Sequence, residues 1–129
     1  RSVLEGVAYS MRYLYDALRE NNMPVKEIRM GGGGVNIKAW PQIFADVLGV
    51  PVTLPPGNEM ALVGNAMLAF TAGGIFKDFN EASFSMLRSG ERIEPDKKAV
   101  DIRDKQYRFF KKLRESLAPL FKEHQEVRY

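Results

Sequence analysis

Hydrophobic and polar positions alternate along this chain with two periods, and the switches between them mark the elements. Leu4, Val7, Met11, Leu14 and Leu18 recur at helical spacing, which predicts an amphipathic helix over residues 2 to about 20. Ser2-x-x-Glu5 reads as its capping box. Asn21-Asn22 and then Pro24 read as its stop. Val25 to Met30 reads as a short strand. A second helical pattern from about Ile37 to Leu48 carries Trp40, Ile43, Phe44, Val47 and Leu48, and Gly49 ends it. Residues 51–54 form a second strand rich in β-formers, followed by a turn at Pro55-Pro56-Gly57-Asn58. A third helix runs from about Glu59 to Ala72 and closes at Gly73-Gly74. It is poor in large side chains, and Gly64 in its interior costs about 1 kcal/mol against alanine. That cost points to a close approach by another backbone.

Beyond residue 74 the pattern loosens. Asn80 is placed to cap a short helix through Leu87, Ser89-Gly90 is a turn, and residues 92–96 read as extended chain. A last helix is expected from about Asp101 to His124, with Tyr107, Phe110, Leu113, Leu117, Leu120 and Phe121 as its stripe and Pro119 bending or ending its regular part. Strands alternating with helices predict an α/β fold with parallel pairing. All 129 residues read as one domain. Two strands make a very small sheet with exposed edges. This predicts that strands upstream of Arg1 are missing and that the chain is a piece of something longer. A homodimer is one arrangement that would cover such edges.

Composition narrows the chemistry. The chain has no cysteine and one histidine, His124, so cysteine metal sites and Ser-His-Asp catalysis are not expected. Net charge is +3, and the densest basic run, Lys111-Lys112-Leu113-Arg114, is followed at once by Glu115. No nucleic-acid footprint is expected, since that needs basic residues gathered on one surface. No run of 18 apolar residues occurs, so no membrane partner is expected, and no signal peptide is visible. The expected location is the cytoplasm.

The candidate chemistry lies in Gly31-Gly32-Gly33-Gly34, between the first strand and the second helix. Glycine permits φ > 0 and lets a backbone approach a ligand, while a helix start offers unpaired N–H groups. A strand, a glycine turn and a helix therefore suit a phosphate or nucleotide. The plain alternative is a sharp turn and nothing more. A Walker A loop fails, because no Gly-Lys pair occurs in the chain. A dinucleotide fingerprint fails because Asn36 and Ile37 stand where the third glycine belongs, and no acidic residue ends the second strand.

Several spaced blocks nevertheless agree with one family. They are residues 4–12 (LEGVAYSMR), 28–34 (IRMGGGG), 40–49 (WPQIFADVLG), Pro51-Val52, 59–69 (EMALVGNAMLA), and Arg92-Ile93-Glu94-Pro95 with the long terminal helix. In this order the chain resembles the C-terminal domain of the FGGY carbohydrate kinases, closest to the xylulokinase-like branch. The resemblance implies an actin-like, ribonuclease-H-like domain, present twice per kinase, with ATP in the cleft between the copies. It implies that Gly31, Gly32, Gly33 and Gly34 form the adenosine-binding turn. Asn36 would either hydrogen-bond adenine or cap the next helix. Gln42 would lie near the base, with a plain helix-surface role as the alternative. Trp40, in the apolar stripe, belongs to the core rather than on adenine. Helix 59–72 resembles the family's connecting helix, which packs close to the other domain during closure.

The reaction so implied is transfer of the ATP γ-phosphoryl group to a sugar hydroxyl, with Mg²⁺ as cofactor and a xylulose-like pentulose as acceptor. Glycerol, ribulose or gluconate are alternative acceptors, and a non-catalytic actin-like assembly module is the rival class. Pro41 departs from the family's usual polar or basic residue, and moves the expected helix start toward Trp40. The resemblance puts the sugar site, the catalytic aspartate and the phosphate-holding hairpins outside this chain. No catalytic or metal-binding residue is expected here, and Asp16, Asp46 and Asp78 read as helix-surface or helix-end residues. The chain alone is expected to be inactive.

Overall fold

A computed structural model describes residues 1–57, 59–87 and 90–127. Its helices are α1 (Ser2–Glu20), α2 (Ala39–Leu48), α3 (Met60–Ala72), α4 (Phe79–Met86) and α5 (Lys97–Glu126). Its strands are β1 (Ile28–Arg29), β2 (Val52–Leu54) and β3 (Glu91–Ile93), and a 3-10 turn covers Gly33–Asn36. β1 runs parallel to β2, β3 runs antiparallel to it, and the order is β1-β2-β3.

Register divides the sheet into two faces. Ile28, Val52 and Ile93 lie opposite one another, as do Arg29, Thr53 and Arg92. Side chains directly across a ladder share a face. The apolar row joins Phe44, Val47 and Leu48 of α2 in the core. From Ile43 to Leu48 every residue of α2 is buried. α1 and α5 close the core with Tyr9, Tyr15 and Tyr107.

Polar groups stitch α1 to α5. The Tyr9 hydroxyl donates to Gln106 Oε1 (2.7 Å) and the Tyr107 hydroxyl to Asp16 Oδ2 (2.8 Å). Arg103 pairs with Glu5 (3.0 Å), and the Arg12 guanidinium lies over the Tyr107 ring at 4.5 Å. Burial, with the Asp16 carboxylate beside it, pushes the Tyr107 hydroxyl above its ordinary value. Burial alone would raise Glu5, but Arg1 and Arg103 outweigh it and hold that carboxyl below the ordinary range.

The helix ends show which local signals prevailed. α1 stops in a Schellman motif. Asn22 N–H bonds Arg19 O, Met23 N–H bonds Leu18 O, and Asn22 is left-handed at φ 57°. Its capping box does not form. Arg1 is the N-cap, and the Glu5 carboxylate is taken by Arg1 (2.8 Å) and Arg103. Charge-assisted bonds outcompete the neutral cap. α4 is capped by Asp78, which accepts from Glu81 N–H (2.9 Å), and Asn80 lies inside the helix. α5 starts at Lys97 because Asp96 caps it, accepting from Lys98 N–H (2.9 Å). It continues through Pro119, where the carbonyl left without its N–H partner belongs to exposed Glu115.

Other expectations need correcting. Only Ile28 and Arg29 of the first expected strand are paired, because β2 offers a ladder just three residues long. Residues 91–93 supply a third strand, of which only 92 and 93 fall within the stretch 92–96 read as extended chain. A Cβ at Gly64 would meet nothing within 4 Å, so no described backbone closes on it. Asp46 is buried rather than on a helix surface. Its Oδ1 accepts from Gln42 Nε2 (2.8 Å) and Asp96 N–H (2.9 Å), which ties α2 to the start of α5. The turns expected at 55–58 and 89–90 include Asn58 and Ser89, which lie outside the described residues.

Candidate functional site

The first two strands set the place of the site. Met30 N–H makes the last ladder bond, to Thr53 O (3.0 Å), and the chain then leaves the sheet at Gly31. Gly32 turns it at φ 81°, ψ −171°, a conformation open essentially to glycine alone. Gly33 to Asn36 coil once, with Val35 N–H on Gly32 O and Ile37 N–H on Gly34 O, both at 3.2 Å. α2 starts three residues later, with Lys38 as its N-cap and Pro41 in the first turn, where no N–H is needed. Asn36 therefore does not cap α2; it ends the 3-10 turn with its side chain exposed.

Three of the four glycines are explained by the chain itself. Gly32 needs its positive φ. A Cβ at Gly34 would stand 2.9 Å from the Trp40 ring, and one at Gly31 would stand 3.1 Å from Met60 Cγ. Gly33 has neither constraint: nothing lies within 4 Å of where its Cβ would be. The chain keeps a glycine where its own packing would admit a side chain, on an exposed backbone.

Beside Gly31, over the Arg29-Thr53-Arg92 face of the sheet and reaching the carboxyl ends of parallel β1 and β2, lies a cleft of about 590 Å³. Ligands in open α/β sheets sit beyond the carboxyl ends of parallel strands. Gly31 stands in its lining, with Met30, Pro55, Met60 and Leu87 as apolar walls. Arg29 and Arg92 form its polar side. Both guanidiniums engage Glu27 (3.3 and 3.0 Å), and Arg92 also engages Glu94 (2.7 Å). The cleft thus offers mostly apolar walls with two arginines on one side.

Gly31 to Gly34 and Asn36 thus come together in one loop. Gln42 faces other work: its Nε2 donates to Asp46 and to Glu94 O (3.1 Å), bracing α2 against the chain that leads into α5. Trp40 packs on Phe44 (ring centroids 5.8 Å) at the edge of the core. Sequence reasoning missed Arg29, Pro55, Met60 and Arg92. The strand-end rule, applied to Pro55 after the second parallel strand, was the signal available for one wall. Among the described residues no three His, Cys, Asp or Glu side chains gather to hold a metal ion.

Comparison with known proteins gives consistent answers. The profile of the FGGY family of carbohydrate kinases, C-terminal domain, matches residues 1–73. Glycerol kinase 2 of Thermotoga maritima is 38% identical over 96 residues, 74% of this chain and 19% of that protein. L-xylulose/3-keto-L-gulonate kinase of Escherichia coli is 28% identical over 113 residues, 88% of this chain and 23% of that protein. The crystal structure of xylulose kinase from Rhodospirillum rubrum superposes with a TM-score of 0.77 at 32% identity, covering 95% of this chain and 25% of that one. The chain therefore spans about a fifth to a quarter of the length of the relatives it matches.

Proposed function

This chain belongs to the FGGY family of carbohydrate kinases, and from that premise we propose that it holds the adenosine end of ATP during phosphoryl transfer to a sugar hydroxyl. Its fold is the mixed α/β, actin-like and ribonuclease-H-like fold of the family's sugar kinases. The observation that carries the proposal is Gly33. Its missing side chain answers no need of the chain's own packing, and it sits in the turn whose first residue lines the cleft. A ligand lying on the turn gives that glycine its reason.

In this reading the base enters between Met60, Pro55 and Met30, and the turn passes under the ribose. Gly32 aims the backbone, and Gly33 leaves it bare. Asn36 supplies a polar group at the far end of the loop. The triphosphate leaves the chain from there toward the rest of the kinase, which supplies the sugar site and the proton acceptor. Mg²⁺ bound with the nucleotide would supply charge neutralisation in such a transfer. The apolar helix α3 acts as a closing element, and closure excludes water from the reaction.

The acceptor we propose is a pentulose of the xylulose type, supported by the superposition on a xylulose kinase over 95% of the chain. Glycerol is the second reading, supported by the 38% identity to a glycerol kinase. A substrate screen of the full-length enzyme with pentuloses and glycerol separates the two. The nucleotide role is tested by Gly33→Val in the same enzyme. The KM for ATP should rise about tenfold or more while the KM for the sugar stays within about twofold, since only uniform ATP binding is removed. Equal rises in both contradict the role.

A further inference from the structure

Trp40, the chain's one tryptophan, lies between the core and the glycine turn. On one side its ring packs on Phe44, one helical turn later and buried in the core (centroids 5.8 Å). On the other, a Cβ at Gly34 would stand 2.9 Å from Cζ3 and 3.1 Å from Cε3 of the indole. The Gly34 backbone therefore rests against the benzene ring of Trp40, with Met30 Cε closing the same spot at 3.3 Å. The Trp40 backbone N–H reaches back to Ile37 O (2.7 Å), which ties the start of α2 to the end of the 3-10 turn. The turn has little support of its own. Its two internal hydrogen bonds are at the long end of the range, 3.2 Å each, and glycine loses more conformational freedom on ordering than any other residue. Apolar bulk alone does not explain the indole. Its Nε1–H is buried and finds no hydrogen-bond partner among the described residues. An orphaned buried donor is a net loss that phenylalanine or leucine would avoid. What the indole adds is its second ring, and that ring is the part against Gly34.

We propose that Trp40 is the positioning residue of the nucleotide turn: its ring, backed by Phe44, sets how far the bare backbone of Gly33 stands out to meet adenosine. In this role, which rests on the adenosine reading of the turn, Trp40 touches no part of the nucleotide. It acts through Gly34, the residue next to Gly33. A smaller side chain at 40 lets the turn settle toward α2. A methyl on Gly34 pushes the turn away from α2. The two changes are opposite in sense, so each offsets the other.

The full-length kinase tests this through the KM values of its two substrates. Trp40→Leu should raise the KM for ATP about fivefold, with kcat and the KM for the sugar within about twofold. Gly34→Ala should also raise the KM for ATP. With both changes together the rise should be at least about threefold smaller than the product of the two single rises, the mark of residues in contact. Loss of packing alone would lower the amount of folded enzyme and leave the KM for ATP where it was. Trp40→Phe is the milder change, and it carries the test where Trp40→Leu does not fold. It also gives an optical readout. The emission that wild type has and Trp40→Phe lacks should shift on adding ATP and not on adding the sugar. Gly33→Val separates this role from the reading it rests on. If Gly33→Val raises the KM for ATP while Trp40→Leu and Trp40→Phe leave it unchanged, the positioning role falls and the adenosine reading stands. If Gly33→Val leaves the KM for ATP unchanged, both fall. Independent effects in the double variant, or Trp40 emission indifferent to ATP, likewise overturn the positioning role.

Discussion

Single residues carry the sharpest consequences at the glycine turn, because four chemically identical positions have different reasons to be glycine. Gly34→Ala pushes a methyl against the Trp40 ring, which is wedged on Phe44 and cannot swing away freely. It should destabilise the fold by about 1–3 kcal/mol, the usual cost of overpacking. Gly32→Ala should cost about 1–3 kcal/mol, because its φ and ψ lie in a region essentially closed to other residues. Gly33→Ala should leave the unfolding free energy within about 0.5 kcal/mol of wild type, as an exposed site with open space around it. Urea denaturation of the three variants checks the order. If Gly33→Ala is as damaging as Gly34→Ala, the turn is structural throughout and the argument for a ligand at Gly33 falls.

Between elements, the polar seam that joins α1 to α5 has a pH dependence of definite sign. Arg1 and Arg103 hold Glu5 below the ordinary carboxylate value of 4.5, so its contribution is present above that value and lost as pH falls through the lowered one. Glu5→Gln should therefore lower stability at neutral pH and flatten the acid limb of the stability curve below pH 4.5. An acid limb as steep as that of wild type contradicts this. Tyr107 works oppositely. Its raised value makes its contribution complete below the ordinary tyrosine range and lost as pH climbs through the raised one, so Tyr107→Phe should flatten the alkaline limb. At this scale the helices were legible, because stripes such as Leu4-Val7-Met11 repeat long enough to be read. β3 was not: Glu91-Arg92-Ile93 is too short and too polar to look like a strand until Val52 and Thr53 pair with it. Nor could periodicity show that Asp46 is buried, since its partner Asp96 N–H lies fifty residues away. The same distance hid the cleft walls. The glycines announced the turn, but Pro55, Met60 and Arg92 join it only through the fold.

At the scale of the whole molecule the chain leaves apolar surface open among its described residues. α3 is apolar nearly all round, yet only Met67 is buried, and Leu62 and Leu68 are 62 and 60% exposed. Such a helix in a globular protein ordinarily lies inside. The purified 129-residue chain should show no phosphorylation of xylulose or glycerol in a coupled assay; measurable turnover would place the proton acceptor among its own residues. The central claim is that the glycine turn and the cleft beside it receive adenosine. Photolabelling of the full-length kinase with 8-azido-ATP, followed by peptide mapping, addresses it most directly. The label should fall within residues 30–60 of this chain, be blocked by ATP, and be unaffected by the sugar. Labelling confined to the rest of the polypeptide would contradict the account.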